Sequence, residues 1–370
     1  MKILHVISSS GMYGAESVIV SLCKWFSAER HRCAVGVFLN RSNSIPELHR
    51  ICEQQGIESH LIPANGRLDT TAIRGIRELA CSTSFDVVHS HGYKADVLVY
   101  LALRRTILPY VATCHNWLDD DLKVRVYGYF DRYILSRYSR IAAVSADVER
   151  RLQCAGIKRE RIELIGNGIN VQPFELGEPR NPDKCDRQPD LAVGFVGRLS
   201  YEKGPDVFIR AARNVLQQHN RVQFQLAGVG PERSSLEKLV RDLGVEGKIR
   251  FLGHVRDMPA QYREFDIMVS SSRREGSPVA VLEGMACGLP VIATSVGDVP
   301  KMIDHGHTGI LVPPEDPWHL SQAILELLRN PLGRQQLGQS AKMCVKERFS
   351  AERMGSDYLE FYRRAVRGDA

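Results

Sequence analysis

The chain has 370 residues, of which 44% are hydrophobic and 25% are charged, and its formal net charge is +6. This length predicts two domains of ordinary size, and the average composition excludes disordered and fibrous proteins. The mild charge permits an anionic partner. A phosphate-bearing small molecule or an anionic membrane surface fits better than nucleic acid, because the sequence has no helix-turn-helix, finger or RNA-binding signature.

The cysteines and the N-terminal stretch indicate a cytoplasmic protein. The nine cysteines are scattered, without a C-x-x-C pair or a cysteine–histidine cluster at metal-ligand spacing. Unclustered thiols of this kind fit a reducing compartment. The apolar run in the opening MKILHVISSS is too short for the core of a signal peptide, and no later run is long enough to span a bilayer.

The first half alternates short β-branched runs with helical patterns. The predicted strands are, in chain order, KILHVIS, CAVGVFL, SHLIP, FDVVHSH and YVATCHN, and helices such as AESVIVSLCKWFS lie between them. This alternation is typical of a parallel sheet covered by helices.

A proline-rich and charged stretch, VQPFELGEPRNPDKCDRQPD, has no periodicity and predicts a linker. The strand and helix pattern then resumes with LAVGFVG, VQFQLAG, IRFLGHV, DIMVSSS, LPVIATS and GILVPP. We therefore predict an α/β fold with two doubly wound, Rossmann-like domains over 1–175 and 191–345, joined by a linker over 176–190. A C-terminal helix follows over 346–370, and a return to the N-terminal domain is one placement for it.

The stretch EGSPVAVLE places Glu275 and Glu283 around a predicted helix start. In one continuous helix the two carboxylates would lie about 12 Å apart along the axis, too far to act on one small group. Ser277 is instead predicted as the N-cap and Pro278 as the first helical residue, while Gly288 suits the C-terminal cap. Glu275 then lies in the loop, and Glu283 lies more than one turn into the helix.

Two further features of this half suit a phosphate. The free amides near Val279 and Ala280, together with the helix dipole, favour an anion between the two glutamates. In FVGRLSYEKGPDV a strand ends at Gly197, and the cations Arg198 and Lys203 follow it. A guanidinium and an ammonium group together suit a diphosphate. The alternative for EGSPVAVLE is a capped helix with two surface acids, and the alternative for FVGRLSYEKGPDV is a solvated turn.

Five motifs occur in order along the chain: TCHN, LIGNGI, GRLSYEKGPDVFIRAA, EGSPVAVLEGMACGLPVIATSVGDVP and GHTGILVPPED. Together they resemble the family 4 glycosyltransferases, the retaining group with the GT-B fold, in which two Rossmann-like domains face each other across a cleft. The resemblance covers most of the chain and is strongest over 194–316. It implies a nucleotide-sugar donor, with a UDP-sugar favoured over a GDP-sugar. It also implies no cofactor and no metal ion, because protein cations and helix dipoles neutralise the leaving diphosphate.

The resemblance also implies roles for individual residues. Arg198 and Lys203 would hold the donor diphosphate, Glu283 would bind the ribose hydroxyls, and Glu275 would lie beside the transferred sugar. His115 would reach that sugar from the N-terminal domain. The candidate residues are, for catalysis, Glu275, His115, Arg198 and Lys203; for donor binding, Gly14, Gly197, Arg198, Lys203, Ser277, Pro278, Val279, Ala280 and Glu283; and on the acceptor side, His91, Ala15 and Glu16.

The sequence departs from the commonest family pattern at two places. The first loop, YGAES, has a single glycine before Ala15 and Glu16, and VGDVPK has Asp298 and Lys301 where glycine and glutamate are frequent. These positions border the acceptor and the donor sugar, so the sequence leaves the identity of both open.

Two histidines and one basic stretch each allow two interpretations. His91, after a predicted strand, suits the acceptor cleft, whereas His89 is expected to point into the fold; a buried, satisfied histidine is the alternative for both. The stretch LKVRVYGYFDRYILSRYSR suits contact with an anionic membrane, or a solvated helix on a core. Its basic residues are Lys123, Arg125, Arg132, Arg137 and Arg140.

We therefore predict a metal-independent, retaining hexosyltransferase. It would move a sugar from a nucleoside-diphosphate sugar to an acceptor hydroxyl, in the synthesis of a surface polysaccharide or a lipid-linked glycan. No well-placed nucleophile is evident, which favours a same-face attack assisted by the leaving group. The alternatives are a nucleotide-sugar epimerase of the same fold and a non-catalytic subunit that binds the donor.

Overall fold

The computed structural model separates the chain into two compact units. Unit 1 comprises Met1–Ile169 and Ala351–Ala370, and unit 2 comprises Asn170–Ser350. The predicted linker over 176–190 lies outside the described residues except for Asp190. The described residues are 1–9, 11–40, 45–64, 69–115, 133–175 and 190–368.

The described strands of unit 1 form one parallel sheet in the order β3-β2-β1-β4-β5-β6-β7. The strands are β1 (Lys2–Ile7), β2 (Arg32–Leu39), β3 (Glu58–Pro63), β4 (Val87–His91), β5 (Tyr110–Cys114), β6 (Arg140–Ala143) and β7 (Ile162–Leu164). Before unit 2, the helices whose bounds lie within the described ranges are α1 (Gly14–Ala28), α2 (Glu47–Gln54), α3 (Thr70–Ser82), α4 (Tyr93–Leu103) and α5 (Ala146–Cys154), with a 3-10 turn at Arg159–Arg161.

The described strands of unit 2 form a second parallel sheet in the order β10-β9-β8-β11-β12-β13. The strands are β8 (Leu191–Val196), β9 (Val222–Ala227), β10 (Ile249–Gly253), β11 (Ile267–Ser270), β12 (Val291–Thr294) and β13 (Ile310–Val312). The helices are α6 (Gln172–Glu175), α7 (Pro205–Leu216), α8 (Arg233–Asp242), α9 (Met258–Arg263), α10 (Val279–Ala286), α11 (Val299–Met302), α12 (Pro317–Arg329) and α13 (Pro331–Arg348), with 3-10 turns at Tyr201–Lys203 and Glu246–Lys248.

Each sheet begins at its centre and grows first to one side and then to the other, so the predicted α/β class with two Rossmann-like domains is confirmed. Helices cover both faces of a parallel sheet of this kind, and its strands are therefore buried on both sides. The order reverses between β1 and β4 in unit 1 and between β8 and β11 in unit 2. Ligands of such sheets bind beyond the carboxyl ends of the strands at this reversal.

The last helix, α14 (Ala351–Arg367), follows unit 2 in the sequence but belongs to unit 1. Gly355 allows this helix to lie close to α1, since a Cβ atom at that position would come within 2.2 Å of the Trp25 ring. Tyr358 and Tyr362 on α14 are fully buried. The helix therefore completes the hydrophobic core of unit 1.

The basic stretch after His115 is only partly described. Residues 116–132, which include Lys123, Arg125 and Arg132, lie outside the described ranges. Arg140 is the first residue of β6 and is 6% exposed, with Nη1 2.9 Å from Oε1 of Glu163. The prediction that Arg140 contributes to a basic helical face is wrong, because this residue begins a buried strand.

Among the helices in the described ranges, none combines the length and the apolar character needed to cross a membrane.

Candidate functional site

An ion pair joins the loops that follow β8 and β11. Lys203 Nζ lies 2.6 and 2.7 Å from the two carboxylate oxygens of Glu275. The hydroxyl of Ser272 donates a third hydrogen bond, of 2.6 Å, to Oε1 of Glu275. The Glu275 side chain is only 8% exposed. The carboxylate is therefore held at both oxygens, at the point where the strand order of unit 2 reverses.

Arg273 fixes the loop that carries Glu275. Its guanidinium donates to both carboxylate oxygens of Asp206, each at 2.8 Å, and to the carbonyl oxygen of Tyr201 at 2.9 Å. It also donates to Glu315 at 2.9 Å and lies 4.2 Å from the centre of the Tyr201 ring. The hydrogen bonds with Asp206 raise the pKa of Arg273, so this cation is permanent. No local sequence pattern indicates the role of Arg273, because its partners lie far away in the chain.

Two glycines let the loops come into backbone contact. Gly204 has a φ of +62°, and a Cβ there would lie 2.1 Å from the carbonyl oxygen of Ser271. Gly297 has a φ of +56°, and a Cβ there would lie 2.1 Å from the carbonyl oxygen of Glu275. Both positions require a left-handed backbone and an absent side chain. They position Lys203 and Glu275 through the main chain.

Asp298 and Lys301, where the sequence departs from the family pattern, lie next to this loop. The backbone N–H of Asp298 donates to the carbonyl oxygen of Gly276 at 2.9 Å. Lys301 Nζ lies 3.3 Å from Oδ1 of Asp298. Asp298 therefore helps to hold the loop that carries Glu275.

Arg198, two residues after β8, differs from Lys203 in its environment. It is exposed, and within the described ranges it forms no ion pair, whereas Lys203 is paired with Glu275. Gly197 lies before it, and its carbonyl oxygen is approached by Gly228, where a Cβ would lie 1.9 Å away. The loop thus offers one available guanidinium beside one engaged ammonium group.

Helix α10 begins one residue later than predicted. Pro278 is the N-cap, with a ψ of 110° that keeps it outside the helix, and Val279 is the first helical residue; no side chain caps this end. The predicted capping role of Ser277 is therefore wrong, because the extended backbone of Pro278 delays the helix start. The amides of Val279 and Ala280 belong to the first turn, where N–H groups lack partners within the helix.

The other end of α10 is as predicted. Gly288 has a φ of +74°, its N–H donates to the carbonyl oxygen of Met285, and the N–H of Leu289 donates to that of Gly284. This pair of bonds is the Schellman motif. Glu275 lies in the preceding loop and Glu283 lies inside the helix, which confirms the predicted placement of the two acids.

Glu283 is held by a tyrosine from a neighbouring helix. The hydroxyl of Tyr262, on α9, lies 2.8 Å from Oε2 of Glu283 and 3.2 Å from the carbonyl oxygen of Ala280. Burial raises the pKa of Glu283 to about 7, although the hydrogen bond from Tyr262 opposes this rise. The carboxyl therefore changes charge near neutral pH. No local sequence pattern marks Tyr262, because tertiary packing brings α9 onto α10.

In unit 1, Gly14 is the first residue of α1 and Tyr13 is its N-cap. The backbone N–H of Tyr13 donates to Oε2 of Glu16 at 3.2 Å. Glu16 is 5% exposed, and burial raises its pKa. The acceptor-side candidate Glu16 is thus engaged in closing the helix start, and Ala15 beside it is partly buried.

His91, the last residue of β4, contacts His115, which follows β5. Nδ1 of His91 lies 3.1 Å from Nε2 of His115. Burial lowers the pKa of His115 to about 4 and that of His91 well below its ordinary value, so both rings are neutral at pH 7. These two candidates therefore form one hydrogen-bonded pair at the carboxyl ends of neighbouring strands.

His89 points into the fold as expected, but it shares a strand face with His91. Residues two apart in a strand share a face, and the two rings lie 4.1 Å apart. His89 is fully buried, and its nitrogens lie 2.6 Å from the Tyr362 hydroxyl and 2.7 Å from the Thr113 hydroxyl. It is a satisfied core histidine.

Two groups in the described part of unit 1 have a composition that could hold a metal ion: His5 with His89 and His91, and His5 with Cys23 and Cys33. The spacing of these residues along the sequence indicates neither group. The hydrogen bond with Cys33 and burial raise the pKa of Cys23 well above its ordinary value, so that it is a thiol and not the thiolate that metals prefer. The nitrogen atoms of the first group are engaged in hydrogen bonds.

Comparisons with known proteins agree with this architecture. A family model described as Glycosyltransferase Family 4 matches residues 12–173, and one described as Glycosyl transferases group 1 matches residues 190–330. An uncharacterised glycosyltransferase of Methanocaldococcus jannaschii is 28% identical over 302 residues, 76% of each chain. A D-inositol 3-phosphate glycosyltransferase of Frankia alni is 29% identical over 284 residues, 70% of this chain and 69% of that protein.

Solved structures share the fold over almost the whole chain. The Anabaena HepE protein, in complex with UDP-glucose, has a TM-score of 0.84 at 22% identity and covers 98% of this chain and 99% of its own. Sucrose-phosphate synthase of Thermosynechococcus elongatus has a TM-score of 0.81 at 17% identity and covers 100% of each chain. Because the two family models together account for most of both units, this chain belongs to the family 4, group 1 glycosyltransferases.

Proposed function

We propose that this glycosyltransferase moves a sugar from a nucleoside-diphosphate sugar to an acceptor hydroxyl and retains the anomeric configuration. The observation that carries the proposal is the contact of Lys203 with Glu275 at the strand reversal of unit 2, with Arg198 exposed on the same loop. The two cations and the carboxylate lie where such sheets bind ligands, which supports a diphosphate beside Arg198 and Lys203 and a sugar beside Glu275.

In this proposal the donor diphosphate binds Arg198 and Lys203, and the first-turn amides of α10 add their partial positive charge. The diphosphate displaces the carboxylate of Glu275 from Lys203, and Glu275 then accepts hydrogen bonds from sugar hydroxyls. Glu283 accepts hydrogen bonds from the ribose. His115 keeps the role implied by the family resemblance, a hydrogen bond to the transferred sugar.

A same-face reaction is the mechanism we propose. The bond between the anomeric carbon and the phosphate oxygen breaks, the acceptor oxygen bonds to that carbon on the same face, and the departing phosphate oxygen takes the acceptor proton. After the diphosphate has displaced Glu275 from Lys203, the hydrogen bond from Ser272 still holds this carboxylate, which supports a positioning role more than attack on the sugar. Cations and helix dipoles stabilise the leaving group, so we propose that no metal ion is required.

A UDP-sugar is the proposed donor, supported by the UDP-glucose bound in the Anabaena neighbour. The acceptor is proposed to be a hydroxyl of a surface polysaccharide or a lipid-linked glycan.

We also propose peripheral contact with an anionic membrane through the basic stretch after His115. Sedimentation with anionic and with neutral liposomes tests this contact, and equal recovery in both would reject it. Epimerisation is the less favoured alternative, because named relatives are transferases.

Donor binding is expected to raise the unfolding temperature. A ligand at about 100 times its Kd stabilises the folded state by about 2.7 kcal/mol, which corresponds to a rise of roughly 5–10 °C for a unit of this size. Thermal unfolding with UDP-, GDP- and ADP-sugars, each with a chelator, measures this shift. The UDP-sugar should give the largest rise; a shift that needs added metal would contradict metal independence.

NMR of the reaction product gives its anomeric configuration, and an inverted product would reject the retaining mechanism.

The affinity for UDP-glucose is expected to rise about tenfold between pH 6 and pH 8. With a pKa of about 7, Glu283 is ionised in about one molecule in ten at pH 6 and in about nine in ten at pH 8. The ionised carboxylate is the better acceptor for ribose hydroxyls, so affinity rises with pH through this window. Calorimetric titration across the pH range measures the effect.

Two variants control this result. Glu283→Gln cannot ionise, so its affinity should be lower and nearly independent of pH in this range. Tyr262→Phe removes the hydrogen bond that favours the ionised form, so its midpoint should move to higher pH. An unchanged pH profile in Glu283→Gln would assign the titration to another group.

A further inference from the structure

A line of hydrogen-bonded side chains runs through the core of unit 1 and ends at His115. Nδ1 of His5, on β1, lies 3.0 Å from Nε2 of His91, and Nδ1 of His91 lies 3.1 Å from Nε2 of His115. At the far end, Nε2 of His5 lies 3.9 Å from Sγ of Cys33. His5, His91 and Cys33 are buried, at most 8% exposed.

His91 couples the two histidine contacts. A neutral imidazole carries one N–H, so one ring nitrogen donates and the other accepts. Burial lowers the pKa of each of the three rings, which keeps them neutral. If His91 donates through Nδ1, its Nε2 must accept from His5; if it donates through Nε2, its Nδ1 must accept from His115. Both hydrogen bonds therefore run in the same direction.

The cysteine end selects the direction. The S–H of Cys33 is a weak donor and its sulfur is a weak acceptor, whereas an imidazole nitrogen is a good acceptor. Cys33 is therefore better placed to donate to Nε2 of His5 than to accept from it. The proton of His5 then lies on Nδ1 and is donated to His91, and His91 donates in turn to Nε2 of His115. The proton of His115 is left on Nδ1.

His89 does not join this line, although its ring lies beside that of His91. Its nitrogens are engaged by Tyr362 and Thr113. Nδ1 of His115, in contrast, has no hydrogen-bond partner within the described part of the chain. Among the described residues, this line of hydrogen bonds, the relay, therefore ends at His115, the residue that follows β5.

We propose that His5 and His91 are positioning residues that hold His115 in the tautomer with its proton on Nδ1. His115 then offers the sugar a fixed N–H donor and not a lone pair. A donor of this kind stabilises negative charge that develops on oxygen during transfer. The inference rests on the proposed function for its catalytic consequence, but the tautomer itself is a property of unit 1 alone.

Nitrogen NMR of histidine-labelled protein tests the tautomer, because the shift of each ring nitrogen reports whether it carries a proton. His115 is assigned as the signal lost in His115→Asn. We expect Nδ1 of His115 to be protonated in the unsubstituted protein. A proton on Nε2 would overturn the proposal without any further variant.

A matched pair at His5 tests the relay. His5→Leu removes the donor to His91, whereas His5→Asn can return an amide N–H near the place of Nδ1. In His5→Leu the proton should leave Nδ1 of His115 in most molecules, and kcat should fall about tenfold at unchanged KM for the donor, in line with partial loss of one donor. His5→Asn should keep the Nδ1 proton and stay within about twofold in kcat.

An unchanged tautomer of His115 in folded His5→Leu would overturn the relay. Thermal unfolding shows whether that variant is folded. If no nucleotide sugar is a substrate, the proposed function fails while the nitrogen spectrum still decides the relay, so the two failures are distinguishable.

Discussion

Replacing Lys203 with alanine is expected to lower kcat/KM for sugar transfer by about 10³-fold, the upper range for loss of one group that stabilises a leaving anion. Lys203 is the ammonium group proposed to neutralise the departing diphosphate. Its removal also leaves the carboxylate of Glu275, which is 8% exposed, without its cation. That charge would then repel the diphosphate. Initial rates and UDP titration of the purified variant measure both effects.

Lys248 provides a matched control in the same unit. Its Nζ lies 2.9 Å from Oδ2 of Asp190, and its side chain is 33% exposed, compared with 30% for Lys203. Asp190 precedes β8 and Lys248 precedes β10, so this pair lies at the amino ends of the strands, whereas the site lies at their carboxyl ends. Lys248→Ala should keep kcat/KM within about twofold, because exposed ion pairs contribute about 0–1 kcal/mol. Equal losses in the two variants would refute a specific role for Lys203.

Glu275→Gln is expected to change binding and catalysis in opposite directions. The substitution releases Lys203 from its carboxylate, so UDP should bind about 5- to 10-fold more tightly, a gain of about 1–1.4 kcal/mol. Transfer should nevertheless fall about 10²-fold, since Glu275 no longer orients the sugar. Calorimetry with UDP and initial rates with the UDP-sugar separate the two effects.

The opposite effects of the Lys203 and Glu275 substitutions on UDP affinity distinguish this arrangement from an ordinary binding site. Lys203→Ala should weaken UDP binding and Glu275→Gln should strengthen it, whereas two residues that both contact UDP would weaken it in each variant. Glu237→Gln, which breaks the exposed pair with Arg233 on α8, is the control and should leave UDP affinity unchanged. Weaker UDP binding by Glu275→Gln would contradict the exchange of Lys203 between carboxylate and phosphate.

Local patterns were sufficient for the architecture. Alternation of β-branched runs with amphipathic segments predicts parallel sheets, because each element must bury one face against the next layer. The same holds for the end of α10, where Gly288 adopts the left-handed conformation that glycine permits. The start of that helix was misplaced by one residue, since the backbone angle of Pro278 decides between cap and first turn.

The sequence by itself determined the fold class, the loops that carry Arg198, Lys203, Glu275 and His115, and the family, because these depend on periodicity and on motifs within one segment. Only the tertiary structure decided the partners of these residues. Tyr262 meets Glu283, Arg273 meets Asp206, and His5 meets His91 across elements that are distant in the chain. Charge state, tautomer and ion pairing depend on burial and on contacts in three dimensions, which no local pattern specifies.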